Sequence, residues 1–199
     1  FLAEGAANVA HTLDGLAHHQ GEIQLPGYSH MQPAMPSSVS LWASGWATEF
    51  RDDEQGLNTA IRRVDINPLG SAAGYGPAGL ELDRDATRDE LGFSRNHEPV
   101  TAVQISRGKA EATVVFEISL LLNDLGRLAS DLLLFYTKEF SFISLPDKIT
   151  TGSSIMPQKR NPDVFELVRS APAVGMGALM EVLSVTKSLG SGYQRDLQR

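Results

Sequence analysis

The residues whose types and spacing most directly suggest chemistry form one short loop. It reads Gly152-Ser-Ser-Ile-Met-Pro-Gln-Lys-Arg-Asn161 and brings two hydroxyls, two cations and an amide together. The glycine at its start allows the backbone to approach a ligand closely. A helix predicted to begin just after the loop adds N-terminal amides, and together these donors favour a carboxylate or another anion. A flexible surface loop with solvated charges is the alternative, which composition alone leaves open.

A second candidate is a proline-rich segment that carries a histidine. It contains Gly27-Tyr-Ser-His30, followed by Gln32. An imidazole in such a loop could exchange protons near neutral pH, although a solvated surface histidine fits the sequence as well. Since the chain has no cysteine and no histidine pair at i, i+4, we expect no protein-bound metal. The other histidines are expected to face solvent: His11, His18, His19 and His97.

Two further polar features lie toward the end of the chain. Glu166 is predicted to lie in the first turns of the helix that follows the serine-containing loop. It could orient an imidazole and raise its basicity, or it could only complement the helix dipole, for about 0.3–1 kcal/mol. The segment Tyr193-Gln-Arg-Asp-Leu-Gln198 follows a glycine turn and by itself indicates no specific chemistry.

Long amphipathic helices must position these loops. Apolar residues recur at spacings of three and four over 2–16 and 39–64, which predicts one buried face on each helix. The same spacing continues over three heptads in the segment 114–135, with a second apolar flank, so that helix is predicted to be buried among several others. Its seam is Val114, Ile118, Leu121, Leu125, Leu128, Leu132 and Phe135.

Helix ends and breaks are readable from local residue types. A short helix is predicted over 83–91 and is predicted to end at Gly92, and Ser37 or Ser38 is predicted to cap the helix of 39–64. Asn161 is predicted to cap the helix after the serine-containing loop, and Pro172 to kink or split it. The segment 25–36 contains three prolines and is predicted to be irregular, and no β-strand pattern is apparent. The predicted fold class is therefore all-α, with polar loops at the ends of a bundle of long helices.

Composition excludes several classes of function. The 199 residues include 17 Lys and Arg against 24 Asp and Glu, a net charge of −7, so we expect no nucleic-acid partner. The absence of cysteine excludes disulfides and fits a reducing compartment such as the cytoplasm. Because apolar runs are short, we expect no membrane span. The chain begins without Met inside a predicted helix, which suggests a piece of a larger protein.

Taken together, these segments resemble the fumarase/aspartase superfamily and, within it, the argininosuccinate lyases. Residues 152–162 resemble the superfamily signature GSSxMPxKxNP. Pro26-Gly-Tyr-Ser-His-Met-Gln32 resembles the PGYTHLQ segment of the argininosuccinate branch, and residues 161–169 resemble its NPDxxELxR segment. One departure is Gly108, which stands where the family often has an acidic residue.

The resemblance implies a fold, an assembly and a reaction. Residues 1–199 would be the central helical-bundle domain of a larger lyase, lacking its N-terminal domain and C-terminal part. The central helices would form the core of a homotetramer with shared active sites. The reaction would be a cofactor-free β-elimination in arginine biosynthesis that cleaves argininosuccinate to arginine and fumarate. The alternatives are another superfamily lyase acting on a succinyl or fumaryl substrate, such as adenylosuccinate lyase, and a non-catalytic crystallin-like scaffold.

The resemblance also implies roles for individual residues. Ser153 would be the catalytic base, with the adjacent Ser154 as the alternative. His30 would be linked to the acid, directly or through water, and Glu166 would orient it. Lys159 would also be a catalytic residue and would stabilise the carboxylates of the substrate. The residues that would bind the substrate are Ser29, Gln32, Ser154, Asn161, Tyr193 and Gln198.

Overall fold

The computed structural model describes residues 1–198, which form two compact units. The first unit comprises Phe1–Gly56 and Leu120–Val174, and the second comprises Leu57–Ser119 and the residues from Gly175 onward. The elements in chain order are α1 (Leu2–Gln20), β1 (Gln24–Ser29), β2 (Gln32–Ser38), α2 (Val39–Val64), α3 (Arg84–Leu91), α4 (Ala102–Ile105), α5 (Lys109–Tyr136), a 3₁₀ turn (Asp147–Ile149), α6 (Asp163–Ser170) and α7 (Pro172–Thr186). The predicted long helices are therefore present.

Small residues and one polar anchor hold the helices of the first unit. Phe50 of α2 is fully buried, and both indole N–H groups of that helix, from Trp42 and Trp46, donate to the same Asp131 Oδ2 of α5, at 2.9 and 3.1 Å. A carboxylate that accepts two such bonds fixes the register of α2 against α5. The other buried apolar residues of α1 and of α2 in this unit are mostly alanines, which allow close approach: Ala6, Ala10, Leu13, Ala43 and Ala47.

The seam on α5 is only partly covered within one chain. Leu121 and Leu128 are buried, whereas the other five seam residues are half-buried. The spacing therefore predicted the correct helix and face. The expectation that this helix is buried among several others is not met by the described residues of one chain.

The segment predicted to be irregular is instead a β-hairpin. β1 and β2 pair antiparallel from Gln24 opposite Ser38 to Ser29 opposite Gln32, with an irregularity after Gly27. Prolines are tolerated because a two-stranded ribbon consists of edge strands, and Pro26 lies opposite Pro36, where neither residue has an N–H to donate. The prediction of an irregular segment is therefore wrong, because the number of prolines alone does not show that strand pairing can tolerate them.

Most predicted helix ends are confirmed. Ser38 Oγ accepts from Leu41 N–H at 3.1 Å at the start of α2, and Gly92 ends α3 in the left-handed conformation. Pro172 separates α6 from α7, as predicted. The predicted cap of α6 is wrong, because Asn161 pairs with Thr151 and the helix begins at Asp163.

A buried polar network organises the loops of the second unit; we call Asn67, Arg84, Thr87 and Asn96 the Asn67 cluster. The fully buried Asn67 donates from Nδ2 to Asn96 Oδ1 at 3.0 Å and to the Arg84 carbonyl at 3.1 Å. Its Oδ1 accepts from the Leu69 N–H at 3.1 Å. Arg84 in turn donates to the carbonyls of Leu69 and His97, at 2.8 and 3.0 Å. The loops around this cluster are therefore fixed by side-chain hydrogen bonds together with an isolated backbone bridge between Asn67 and Asn96.

We expected no membrane span because apolar runs are short, yet the segment 163–186 passes a test of length and composition. It is long and apolar enough to cross a membrane by length and composition, and few of its residues are buried. It comprises α6 and α7 together. Exposed apolar side chains on a helix of this kind require a covering surface.

Candidate functional site

The loop of residues 152–160, here called the serine loop, is closed at its two ends. Thr151 and Asn161 exchange backbone hydrogen bonds, at 3.0 Å from the Thr151 N–H and 2.8 Å from the Asn161 N–H. The Thr151 hydroxyl also donates to Asp163 Oδ2 at 2.6 Å. Because both ends meet, the serine loop projects as one unit from the start of α6.

Ser153 lies where backbone donors converge on its side chain. Its Oγ accepts from the N–H groups of Ile155 and Met156, at 3.4 and 3.2 Å. Ser153 is half-buried, whereas Ser154 and Lys159 are exposed. Two N–H donors aimed at one oxygen favour negative charge on it. Between the two serines, this geometry favours Ser153 as the oxygen that could carry charge.

Asn161 and Glu166 extend the same region. Asn161 is half-buried, with its Nδ2 at 3.4 Å from the Thr151 hydroxyl. Glu166 is exposed in the first turn of α6 together with Asp163. Lys159 donates its backbone N–H to Met156 at 3.0 Å, and within residues 1–198 its ammonium group forms no ion pair. This end of the first unit therefore presents a cation, an amide and a hydroxyl to solvent.

His30 lies at the tip of the hairpin. His30 and Met31 are the two central residues of the turn, with φ of 54° and 59°. Positive φ at both positions is the mark of a type I′ turn, which matches the twist of the strands. Ser29 and Gln32 lie opposite each other on either side of the turn and are exposed, as is His30.

The expected contact between His30 and Glu166 is not formed within the described residues. No hydrogen bond or ion pair joins them in the structure of residues 1–198. Both side chains are exposed and available to another molecule. The expectation that Glu166 orients this imidazole remains a prediction.

Tyr193 and Gln198 lie in the second unit and contact each other. Gln198 Nε2 donates to the Tyr193 hydroxyl. Arg107, which no sequence pattern assigned to the site, donates from Nη1 to the Gln194 carbonyl at 2.7 Å, and its guanidinium lies 5.8 Å from the centre of the Tyr193 ring. The 86 positions that separate Arg107 from Tyr193 hide this contact from sequence patterns.

Among the residues that the structure describes, no group of three or more histidine or acidic side chains could hold a metal ion.

A family model described as Lyase matches residues 2–177. The chain belongs to this lyase family. Argininosuccinate lyase of Parabacteroides distasonis is 43% identical over 197 residues, which is 99% of this chain and 44% of that protein. Argininosuccinate lyase of Xanthomonas campestris pv. campestris is 47% identical over 182 residues, which is 92% of this chain and 42% of that protein. The chain thus spans less than half of the length of these relatives.

Solved structures confirm the lyase fold. The crystal structure of EDDS lyase in complex with formate matches with a TM-score of 0.92 and 26% identity, covering 98% of this chain and 39% of that one. The class II fumarase of Schistosoma mansoni matches with a TM-score of 0.76 at 19% identity, which concerns the fold alone, and covers 96% of this chain and 44% of that one. The predicted all-α bundle of the fumarase/aspartase type is confirmed, with one added hairpin.

Proposed function

We propose that the full-length protein cleaves argininosuccinate reversibly to arginine and fumarate, as part of arginine biosynthesis in the cytoplasm. The observation that carries the proposal is identity of 43–47% to argininosuccinate lyases across nearly the whole chain, which includes the serine loop. Residues 1–199 would be the central helical-bundle domain of this enzyme. No cofactor is required, because each step needs only proton transfer and charge stabilisation.

The first step is removal of a proton from carbon. The base takes the proton from the carbon beside a carboxylate, and the electron pair left on that carbon is delocalised into the carboxylate. We assign this base to Ser153, whose Oγ accepts from two backbone N–H groups. The same donors would stabilise the alkoxide that proton abstraction requires. Within residues 1–198 the Ser154 hydroxyl has no such pair of backbone donors, and we assign Ser154 to substrate binding.

The second step breaks the carbon–nitrogen bond. The electron pair forms the double bond of fumarate, the bond to the guanidino nitrogen breaks, and that nitrogen receives a proton. We assign this proton to His30, directly or through water, with Glu166 orienting the imidazole. Lys159 and Asn161 would hold the carboxylates as charge develops on them. Ser29, Gln32, Tyr193 and Gln198 would bind the rest of the substrate.

The active site would be completed in a homotetramer. His30 and Glu166 are both exposed and unpaired with each other in one chain, so a second copy can supply the missing partner. Apolar residues of the α7 region also need covering: Val174, Met176 and Met180 are 63–75% exposed. A surface of this kind favours a helical interface between copies. Sedimentation equilibrium of the full-length protein tests this assembly.

The activity is tested by adding argininosuccinate to the full-length protein and following the ultraviolet absorbance of fumarate. Steady formation of fumarate with equimolar arginine is expected. Active wild-type protein that releases fumarate only from another substrate would exclude this assignment.

A different lyase specificity is the second candidate, and the similarity to EDDS lyase favours it. Adenylosuccinate and EDDS, offered beside argininosuccinate at equal concentrations, separate the candidates by their kcat/KM values. Correctly folded protein that turns over none of the three would favour the non-catalytic scaffold.

A further inference from the structure

A cavity of about 430 Å³ in the second unit is lined by none of the residues assigned to the proposed chemistry, although its Arg107 contacts Tyr193. Its wall carries four cationic side chains, Arg63, Arg95, Arg107 and Lys109, and one carboxylate, Glu111. Four positive charges less one negative charge give +3 at this cavity, whereas the chain as a whole carries −7. The remaining lining is largely aliphatic. Positive charge is therefore concentrated at this cavity, although the chain as a whole is negatively charged.

The cations have no acidic partner among the residues that the structure describes. Within residues 1–198, none of the four lies within 4 Å of a carboxylate oxygen. Arg107 shows this most clearly, because its Nε and Nη2 are buried and no hydrogen-bond acceptor reaches them from the described residues. Buried donors without acceptors are costly, and this uncompensated positive charge lies in the wall of the cavity.

The pKa of His97 is affected by the same positive charges. It lines the cavity, is half-buried and not solvent-facing as expected from the sequence, and burial lowers its pKa. The cations Arg95, Arg84 and Lys109 lower that pKa further. An imidazole that stays neutral at pH 7 can still donate one hydrogen bond to a ligand.

The wall that carries Arg95 and His97 is held rigidly by the Asn67 cluster. The Asn67 N–H donates to the Arg95 carbonyl at 2.8 Å, and the His97 N–H donates to the Asn67 carbonyl at 3.0 Å. Arg84 Nη2 adds a bond to the His97 carbonyl at 3.0 Å. Because the backbone is fixed on both sides, little ordering would be needed on binding.

We infer that this cavity binds a small organic molecule that carries two or more anionic groups, either carboxylates or phosphates. Several spaced cations match several anionic groups, and guanidinium forks pair with both kinds of oxygen. The volume lies in the range of small-molecule sites and greatly exceeds that of one inorganic ion. The aliphatic lining suits a carbon skeleton between the charged groups.

The test measures binding rather than catalysis, so it is independent of the proposed lyase activity. Citrate and pyrophosphate are titrated separately into the full-length protein by calorimetry, with acetate at matched ionic strength as the monoanion. We expect one saturable event per chain for citrate or pyrophosphate, and none for acetate. Tighter binding of citrate identifies a carboxylate ligand, and tighter binding of pyrophosphate a phosphate ligand.

A matched pair of variants locates the event. Arg63→Gln combined with Arg95→Gln removes two exposed cavity cations and should raise Kd about tenfold or more, as expected for lost charge-assisted hydrogen bonds. Arg62→Gln removes the neighbouring exposed cation on α2, which does not line the cavity, and should leave Kd unchanged. Thermal midpoints without ligand confirm that each variant is folded. Equal effects of the two changes, or no saturable binding of either probe, would overturn the inference.

Discussion

The serine loop and the Asn67 cluster are both polar, yet they differ in burial and in how far their polar groups are paired within the chain. In the cluster, the Asn67 amide is fully buried and its nitrogen and oxygen both have partners in the same chain. In the serine loop, the ends are joined through Thr151 and Asn161, while Ser154 and Lys159 remain exposed. In the Asn67 cluster, the polar groups form hydrogen bonds within the chain and stabilise the fold. In the serine loop, they stay available to a ligand or another subunit.

This difference distinguishes polar groups that stabilise the fold from polar groups that are available for function. A buried donor or acceptor must be paired, because leaving it unpaired costs about 1–3 kcal/mol. Removing a group from the Asn67 cluster should therefore change stability. Removing a side-chain hydroxyl from the exposed serine loop should change activity while the fold persists.

The largest expected effect is on activity, from Ser153→Ala. Loss of the proposed base should lower kcat by about 10²- to 10⁴-fold, the usual contribution of a positioned proton-transfer group. KM should change little, because the carboxylate-binding residues remain. Steady-state fumarate release by the full-length enzyme measures both constants.

Ser154→Ala is the matched control, since it removes the neighbouring hydroxyl that has no backbone donors. It should retain kcat within about tenfold and affect mainly KM, as a lost binding contact does. Near-normal turnover in Ser153→Ala with a collapse in Ser154→Ala would exchange the two assignments.

The second effect is on stability, from Asn67→Ala. The change leaves the Leu69 N–H and the Asn96 side chain without their buried partner. We expect the free energy of unfolding to fall by about 3 kcal/mol. Urea unfolding measures the change, with Asn58→Ala at an exposed position of α2 as the control. Equal stabilities of the two variants would mean that the cluster does not hold the fold.

Sequence patterns predicted the helices well because helix burial repeats along the chain. The spacing of apolar residues located α1, α2 and α5, and local residue types located the Ser38 cap and the Gly92 end. The hairpin was missed because the tolerance of its prolines depends on strand pairing, which is not local. The serine loop was found because its residues are contiguous.

The cavity and the Arg107 contact could not be found in this way. The cavity cations lie at positions 63, 95, 107 and 109, and only folding brings them together. Likewise, the incomplete covering of the α5 seam cannot be known from a pattern that marks the apolar face without saying which chain covers it.

A third prediction concerns Gly108, which stands where the family often has an acidic residue. Its φ is +81°, and an added Cβ would overlap Thr186 Cγ2 and lie 3.0 Å from Thr186 Cβ. Gly108→Ala should therefore lower the free energy of unfolding by about 2–4 kcal/mol, from backbone strain and overlap together. Gly108 is therefore expected to matter for stability, as the Asn67 cluster does, rather than for activity.

Gly15→Ala provides the opposite control for Gly108→Ala. Gly15 lies within α1, and an added Cβ meets no atom within 4 Å. This change should stabilise the protein by about 0.5–1 kcal/mol, because alanine is the better helix former. Urea unfolding of both variants should give shifts of opposite sign, and a shared sign would contradict the steric argument.

The smallest effect is expected from pH acting on His97, where the fixed wall meets the cationic cavity. Burial, and then the cations Arg95, Arg84 and Lys109, lower its pKa below the ordinary value near 6.5. The unfolded chain therefore binds this proton more readily than the folded protein does. The contribution of His97 to stability is thus fully present above about pH 6.5 and is lost as pH falls through the lower folded pKa.

His97→Gln should flatten the fall in unfolding free energy as the pH drops below about 6.5, with His18→Gln at an exposed position of α1 as the control. Urea unfolding across this range measures both slopes. Citrate adds a sharper test, because anionic groups in the cavity would offset the neighbouring cations and raise the His97 pKa, which proton NMR of the ring reports. A His97 pKa at or above 6.5 without citrate would contradict the positive potential that distinguishes this cavity from the rest of an acidic chain.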